Sequence, residues 1–419
     1  MTLARIREPD GPSRSGWSPW RAVIGFGLVS LAADMVYEGA RSITGPLLAG
    51  LGASALLVGL VTGAGEALAL LLRLAFGTWA DRSGRYWTLT LTGYTLTAVC
   101  VPALALTAFL PSVGLVVAAV LILAERTGKA IRSPAKTALL ARAAGGVGLG
   151  RGFAVHKALD QLGAVAGPLL VAGVLATTGL IWPSMALLAV PGIAAIAILL
   201  WIRHRTADDE PAAIPPRPAA AQSAAPPEPA GRVSALPGRF WLFALAAGAT
   251  TAGLVTFGVI SYHLTRDQVV AVPVVPVVYA AAMAAAALAA LATGWLYDKI
   301  KGRVLLGLPL LVAAVPALAF ADAPAVALTG VVLWGAAIGV QDSTVKALVA
   351  DLVPAPNRAT AYGTFAAVQG ATAIAGGAMA GALYNYSVPL LVVAVAATQV
   401  VALALLLASV ENHGSIKLI

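Results

Sequence analysis

Ionisable side chains within long apolar stretches are the residues of this sequence that could do chemistry. Asp34, Glu38 and Arg41 follow one another at intervals of four and three residues, which places them on one face of a helix. A charge at the centre of a membrane helix costs about 2.5–3.5 kcal/mol on insertion scales, so it normally faces a polar interior. Desolvation and nearby cations together set the charge state of such a carboxylate. Asp34 and Glu38 are therefore predicted to handle protons beside a polar cavity.

The same reasoning extends to ionisable and amide side chains at other helical positions. The candidates for proton coupling are Asp34, Glu38, Glu66, Glu125 and Asp342. The candidates for contact with a substrate in the cavity are Arg41, Arg126, Lys129, Asp160, Gln161, Gln341 and Lys346. Basic residues outnumber acidic ones among the helical positions of the first half, which favours an anionic or zwitterionic substrate.

Some of these charges have a structural interpretation. Long basic side chains near a helix end can extend to the membrane surface, and this is favoured for Arg132, Lys136, His156 and Lys157. Three pairs are expected to neutralise each other: Arg41 with Glu38, Arg73 with Glu66, and Asp342 with Lys346. For the last pair, contact with a ligand is an equal alternative.

Twelve apolar runs must position these side chains. Of the 419 residues, 59% are hydrophobic and 11% charged, and the mean hydropathy is +0.88. At about 20 residues for each crossing, this composition excludes an ordinary soluble enzyme and a disordered chain. The runs are 21–51, 55–80, 86–109, 112–141, 151–177, 182–202, 239–264, 272–297, 303–321, 324–352, 358–384 and 387–410. The predicted fold class is an all-α polytopic membrane protein with twelve transmembrane helices in two six-helix bundles.

A segment rich in proline and alanine divides the chain into these halves. The predicted units are an N-terminal tail (1–20), an N-terminal bundle (21–203), a linker (204–237), a C-terminal bundle (238–410) and a C-terminal tail (411–419). Most of the 27 basic residues lie in segments that would share one side of the membrane, and Arg266 lies on the other. Basic loops favour the cytoplasm, so both termini and the linker are expected there, in a multi-pass inner-membrane protein. The net charge of +9 then reports orientation and not nucleic-acid binding.

The two halves contain a repeated loop sequence. GTWADRSGR (Gly77–Arg85) follows the second run and GWLYDKIKGR (Gly294–Arg303) follows the eighth. Each has a glycine four residues before an aspartate, and then a glycine–arginine pair. The predicted gating residues are Gly77, Asp81, Arg82, Gly84, Arg85, Gly294, Asp298, Gly302 and Arg303. Parallel repeats of six helices are typical of transporters whose two bundles rock about a central site.

Over essentially its whole length the chain resembles the major facilitator superfamily. Its first loop matches that superfamily's motif between helices two and three, and the segment with Gly163, Gly167 and Pro168 is similar to the fifth-helix motif of its drug/proton-antiporter branch. Further segments of the sequence, such as Asp34–Arg41, resemble the corresponding segments of bacterial members whose substrate is unassigned. The resemblance implies that Asp81 contacts the start of the eleventh helix and locks the outward-facing state. The helix-five residues are expected to serve close helix packing.

Several functions are consistent with these features. The favoured hypothesis is a secondary active transporter that works by alternating access and exports a small amphipathic or anionic molecule in exchange for protons. An uptake symporter for an organic anion or metal chelate is the alternative, and a non-transporting receptor on a transporter scaffold a remote one. An enzyme is rejected, because the sequence has no phosphate-binding glycine loop ending in Gly-Lys-Ser/Thr and no convincing metal-ligand spacing. No cofactor is expected, and the predicted partners are a small molecule, protons and the lipid bilayer, with the chain acting as a monomer.

Overall fold

The chain folds into α-helices throughout its described part. The computed structural model describes residues 18–206, 236–353 and 357–410. The helices are α1 (Pro19–Gly50), α2 (Ala55–Ser83), α3 (Tyr86–Ala103), α4 (Gly114–Ala144), α5 (Leu149–Thr178), α6 (Ile181–Leu187), α7 (Ala189–Thr206), α8 (Gly238–Gly253), α9 (Phe257–Arg266), α10 (Val274–Ile300), α11 (Gly307–Ala319), α12 (Pro324–Leu352), α13 (Arg358–Tyr386) and α14 (Val388–Val410). Two 3-10 segments, Leu104–Phe109 and Lys301–Leu306, extend α3 and precede α11. No strand occurs within these ranges, so the predicted all-α class is confirmed.

Eleven helical segments of the described chain are long and apolar enough to cross a bilayer. The fourth predicted run forms α4, which is 31 residues long but is not among the eleven. It carries a dense row of charges, Glu125, Arg126, Lys129, Arg132 and Lys136. Such a helix can lie in a membrane only if those charges face the protein interior, and the contacts of α4 show where they point. The predicted tails and linker lie almost wholly outside the described residues.

Two predicted runs are each divided into two helices. The sixth is split between α6 and α7, where Pro191 lacks the backbone N–H that would continue the ladder. The seventh ends as α8 at Gly253 and resumes as α9 at Phe257. At this second break the indole N–H of Trp334 donates to the carbonyl of Val255 at 2.7 Å, which satisfies a backbone group that the helix leaves free. Continuous apolar patterning alone gave no sign of either break.

Helices α1–α7 form one bundle and α8–α14 the other. In the first bundle α1 packs closely on α5, because Gly163 and Gly167 lie directly against the backbone carbonyls of Leu31 and Met35. A side chain at either glycine would collide with α1. The bundles meet through α2 with α13, α1 with α9, and α5 with α10.

The contacts between the bundles place the opening of the cavity. We call the side where α1 begins and α7 ends the linker side, and the opposite side the far side. On the far side Gly59 lies against the backbone of Gly377, and the Thr62 and Thr256 hydroxyls are 2.8 Å apart. On the linker side Lys157 of α5 and Asp342 of α12, which belong to opposite bundles, are both exposed. The space between the bundles therefore opens to the linker side.

Candidate functional site

Tyr37 lies at the centre of a group of cations within the N-terminal bundle. The Lys129 ammonium is 3.6 Å from the centroid of its ring, the Arg126 guanidinium carbon 4.5 Å and the Arg41 guanidinium carbon 5.9 Å. The tyrosine hydroxyl accepts hydrogen bonds from Arg126 and, at 3.3 Å, from Arg41. The negative face of an aromatic ring attracts cations, so Tyr37 brings side chains of α1 and α4 together. Sequence reasoning missed it, although it stands between Asp34 and Glu38.

Glu66 supplies most of the balancing negative charge. Its carboxylate is 2.7 Å from the Arg41 guanidinium and 3.6 Å from that of Arg126, whereas Glu38 is 4.0 Å from Arg41. The described ion pairs of Glu66 within 4.0 Å are thus with Arg41 and Arg126, and Arg73, its predicted partner, interacts with it over a longer distance. A carboxylate of α2 thus neutralises a guanidinium of α1. The Nε of Arg73 has no hydrogen-bond partner among the described residues.

Glu125 lies inside the N-terminal bundle, where it is buried. It accepts a hydrogen bond from Thr97 of α3 at 3.2 Å, and its other oxygen is 3.8 Å from the Nε of Arg126. Arg132 donates to the same Thr97 hydroxyl. A cavity of about 20 Å³ borders Tyr37, Arg126 and Glu125, enough for about one water molecule. The charged row of α4 thus faces α1 and α3.

Asp34 and Asp160 form a carboxyl pair between α1 and α5. The two side chains are close enough to share a hydrogen bond. Asp160 also accepts from the Ser30 hydroxyl at 2.8 Å and from the Lys157 ammonium at 2.6 Å, and Lys136 donates to Ser30 at 3.1 Å. Asp160, predicted as a substrate contact, thus lies in the same network as the proton candidate Asp34.

The structure corrects part of the interpretation that basic side chains reach the membrane surface. Arg132 is only 4% exposed and stacks on the ring of Tyr94, and His156 is also buried. Because the Arg132 and His156 side chains are buried in the protein, the prediction that they extend to the membrane surface is wrong for these two residues. The Lys157 side chain, 71% exposed, is the most accessible of this group with a described partner.

Two hydrogen bonds join the charged network to the C-terminal bundle. The hydroxyl of Tyr279 on α10 donates to the Glu38 carboxylate. One turn further along α10, the carbonyl of Met283 accepts from the amide of Gln161 at 2.8 Å. Gln161 was predicted from sequence and Tyr279 was not. The one available signal for Tyr279 was a hydroxyl in the apolar first part of its run, ahead of Thr293 and Tyr297.

The C-terminal bundle contributes mainly neutral groups to the centre. The amides of Gln341 and Gln369 donate to the Thr251 hydroxyl at 3.1 and 3.3 Å. Gln369 was not predicted. Asp342 is exposed on the linker side, and its carboxylate is near enough to interact with Arg41 and Arg73. The side chain of Lys346 lies outside what the structure describes.

The repeated loop sequences lie on the linker side. Gly84 ends α2 with a φ of 65°, a left-handed conformation that favours glycine. Asp81 is exposed and accepts a hydrogen bond from Tyr86 at 3.2 Å. In the second copy Gly302 is buried in a 3-10 turn and Arg303 is exposed, and the side chain of Asp298 falls outside the description. The described partner of Asp81 is thus at the start of α3, and the side chain of Arg358, at the predicted contact point on the eleventh membrane helix, lies outside the description.

The arrangement brings positive charge and ionisable carboxylates together in one place. Three cations converge on one tyrosine, and carboxylates surround them on three helices, so a change of charge at one group alters the field at the others. No three His, Cys, Asp or Glu side chains in the described ranges are placed to hold a metal ion.

Comparisons with known proteins place this geometry in a family. The family model described as Major Facilitator Superfamily matches residues 24–377 and 242–417. Two proteins described as uncharacterized, from Mycobacterium bovis and Mycobacterium tuberculosis, are each 50% identical over 412 residues, which cover 97% of this chain and 96% of the relative.

Solved transporter structures share the fold. The nucleoside transporter NupG has a TM-score of 0.72 at 13% identity, with coverage of 93% of this chain and 100% of that one. A peptide transporter POT in complex with alafosfalin has a TM-score of 0.71 at 15% identity, with coverage of 94% of both chains. A bacterial homologue of the iron transporter ferroportin, in an inward-facing state, has a TM-score of 0.67 at 12% identity, with coverage of 93% and 100%.

Proposed function

The chain belongs to the major facilitator superfamily and has the fold of a secondary transporter, and on that premise we propose that it exports a small anionic or amphipathic molecule in exchange for protons. The observation that carries the proposal is the set of three cations around Tyr37 beside carboxylates that can take up protons. The site is proposed to alternate between the linker side, taken as the cytoplasm, and the far side, in the inner membrane.

The cations support an anionic substrate. Arg41 and Arg126 share the single carboxylate of Glu66. Lys129 is held against the ring of Tyr37, which offers a cation only a partial negative charge. An anionic group that entered from the linker side would neutralise Lys129, which has no carboxylate within 4.0 Å among the described residues. Arginine suits this role because its planar fork binds carboxylates and phosphates through two hydrogen bonds.

The carboxyl pair of Asp34 and Asp160 supports proton coupling. Two carboxylates in close contact repel each other when both are ionised, and a proton shared between them removes that repulsion. Lys157 provides an exposed cation beside Asp160 on the linker side. We assign Asp34 and Glu38 as the principal proton carriers, with the other predicted carboxylates in supporting positions.

The packing of α5 on α1 supports export over uptake. The segment with Gly163 and Gly167 resembles the fifth-helix motif of exporters, and these glycines hold α5 against the backbone of the helix that carries Asp34 and Glu38. Movement of α5 relative to α1 would then change the surroundings of the carboxylates directly.

A flux measurement tests the proposal. The melting temperature of the purified protein in detergent micelles is first measured with benzoate, salicylate and citrate as anionic probes and with tetraphenylphosphonium as a cationic probe. Proteoliposomes loaded with the best anion are then given an inwardly directed proton gradient. We expect the anion to leave as protons enter. The double variant Asp34→Asn, Glu38→Gln should lose gradient-driven efflux, at least tenfold.

The matched control is Asp322→Asn, which removes an exposed carboxylate from the loop between α11 and α12 and should transport normally. Movement of anion and proton in the same direction would replace export by uptake symport. Unchanged efflux in the double variant would contradict the assignment of the proton carriers, and stabilisation by tetraphenylphosphonium alone would contradict an anionic substrate.

A further inference from the structure

The hydrogen bond from Tyr279 to Glu38 joins the two bundles at the centre of the protein. Tyr279 is fully buried, and Glu38 is 9% exposed. Arg41 is held by Glu66 and stays 4.0 Å from Glu38. Among the described residues the hydrogen bond to the Glu38 carboxylate therefore comes from the opposite bundle.

The ring of Tyr279 is fixed by aromatic neighbours at the break between α8 and α9. Its centroid is 4.6 Å from that of Phe257 in an edge-on arrangement and 6.1 Å from that of Trp334. Trp334 in turn donates to the carbonyl of Val255, inside the break. Edge-on aromatic pairs of this kind stabilise a structure by more than the burial of their surface alone. A movement of the Tyr279 ring would therefore displace Phe257, the first residue of α9.

Helix α9 is one of the elements that close the far side. Gly45 of α1 lies against Gly258 and Ser261, and the amide of Tyr262 is close to the same point. Next to the break, Thr256 contacts Thr62 of α2. A continuous set of contacts thus runs from Glu38 through Tyr279 and Phe257 to the surface that seals the cavity.

We propose that Tyr279 is a positioning residue that makes closure of the far side depend on the charge of Glu38. A hydrogen bond to an ionised carboxylate is about twice as strong as one between neutral groups. Ionised Glu38 therefore holds α10 and α9 against α1, and protonated Glu38 holds them more weakly. By linkage, protonation of Glu38 and opening of the far side favour one another.

Several other charged groups surround Glu38. The titratable and charged groups around it are Arg41 on α1, Glu66 on α2, Glu125, Arg126 and Lys129 on α4, and Tyr279 on α10. All but Tyr279 belong to the same bundle as Glu38 and move with it. The hydrogen bond from Tyr279 is the member of this set that a rocking motion would break.

Distance measurements between the bundles test the inference. In a Cys100→Ala background, spin labels are placed at Ser112→Cys and Ala271→Cys, exposed positions of opposite bundles on the far side. Pulsed electron resonance in nanodiscs then gives the ratio of open to closed far side from pH 8 to pH 5. In the otherwise unchanged protein this ratio should rise about tenfold as the pH falls, the effect of exchanging a charge-assisted hydrogen bond for a neutral one.

In the Tyr279→Phe variant the ratio of open to closed far side should be the same at every pH. Tyr94→Phe is the matched control, because it removes a buried hydroxyl without a described partner and should keep the pH response. Glu38→Gln should resemble the low-pH state throughout, which tests the idea without altering the aromatic cluster. A Tyr279→Phe variant that responds to pH like its parent overturns the inference, as does a parent protein that shows no response.

The inference rests on the proposed proton coupling, yet the two fail separately. The distances need no substrate, so a cationic substrate or symport would overturn the proposed export and leave this result standing. Conversely, an unchanged distance in a protein that still exchanges anions for protons would overturn the role of Tyr279 and leave coupling to Asp34 and Asp160.

Discussion

The two bundles share one architecture but hold their polar groups by different means. The N-terminal bundle encloses full charges, with Arg41, Glu66 and Arg126 in one connected set. At its centre the C-terminal bundle holds amides and hydroxyls, with Gln341 and Gln369 both donating to Thr251, and its buried His263 contacts Asp267 at 2.8 Å at the far-side end of α9. Helix packing alone does not require this asymmetry. It concentrates the charged network at the centre of the protein in one bundle and leaves the central groups of the other bundle neutral.

The asymmetry has a consequence for rocking. Charges that are balanced within one bundle keep their partners when the bundles move, so none of the described ion pairs has to break in a medium of low dielectric constant. Contact between the bundles relies instead on neutral backbone approaches, such as Gly59 against Gly377, and on the hydrogen bond from Tyr279 to Glu38. The free-energy cost of the rocking motion is therefore small.

The largest effect is expected from removing the charge that balances the N-terminal bundle. Glu66→Gln keeps the shape of the side chain but leaves Arg41 and Arg126 without their shared carboxylate. Breaking a buried pair by removing one partner costs about 3–5 kcal/mol, and since Glu66 is about one-third exposed, the lower end is expected. Thermal unfolding in detergent micelles, monitored by tryptophan fluorescence, measures the loss of stability.

Asp81→Asn provides the control for that variant, because it removes an exposed carboxylate from the same helix. It should change the melting temperature little. If Glu66→Gln proves as stable as Asp81→Asn, the idea of a charge balance internal to one bundle is wrong.

A smaller effect is expected at the aromatic centre of the same network. Tyr37→Phe keeps the ring under Lys129 but removes the hydroxyl that accepts from Arg41 and Arg126. Hydrogen bonds to charged groups are worth about 1.5–3 kcal/mol, so the unfolding free energy should fall by roughly that amount. Tyr94→Phe, whose hydroxyl has no described partner, should melt like the parent. Equal melting of the two variants would show that the Tyr37 hydroxyl contributes nothing.

Much of the fold could be predicted from sequence because a bilayer imposes a simple rule on composition. Apolar runs of about 20 residues give membrane helices, and the loop repeat gave two halves. The breaks that form α6 with α7 and α8 with α9 escaped prediction. The second depends on Trp334, which is distant in sequence and satisfies the carbonyl of Val255, and a window of local hydropathy contains no such information.

The candidate site was predicted in its residue types but not in its pairing. Helical spacing placed Glu38 and Arg41 on one face, and it suggested Arg73 as the partner of Glu66 because the two are seven residues apart. The structure pairs Glu66 with Arg41 of another helix, since the register between helices decides which charges meet. Tyr279 was missed for the same reason, because its significance comes from Glu38 across the interface.

The smallest effect is expected in the C-terminal bundle, and it sharpens the comparison most directly. Gln369→Leu removes one of two amides that donate to Thr251 and leaves the Gln341 amide at 3.1 Å. A neutral hydrogen bond contributes about 0.5–1.5 kcal/mol net, and leucine restores apolar contact in its place, so the melting temperature should fall only slightly. The same micelle assay compares it with Glu66→Gln. If Gln369→Leu destabilised the protein as much as Glu66→Gln, the amides would be as essential as the charges, and the division of labour between the bundles would have to be abandoned.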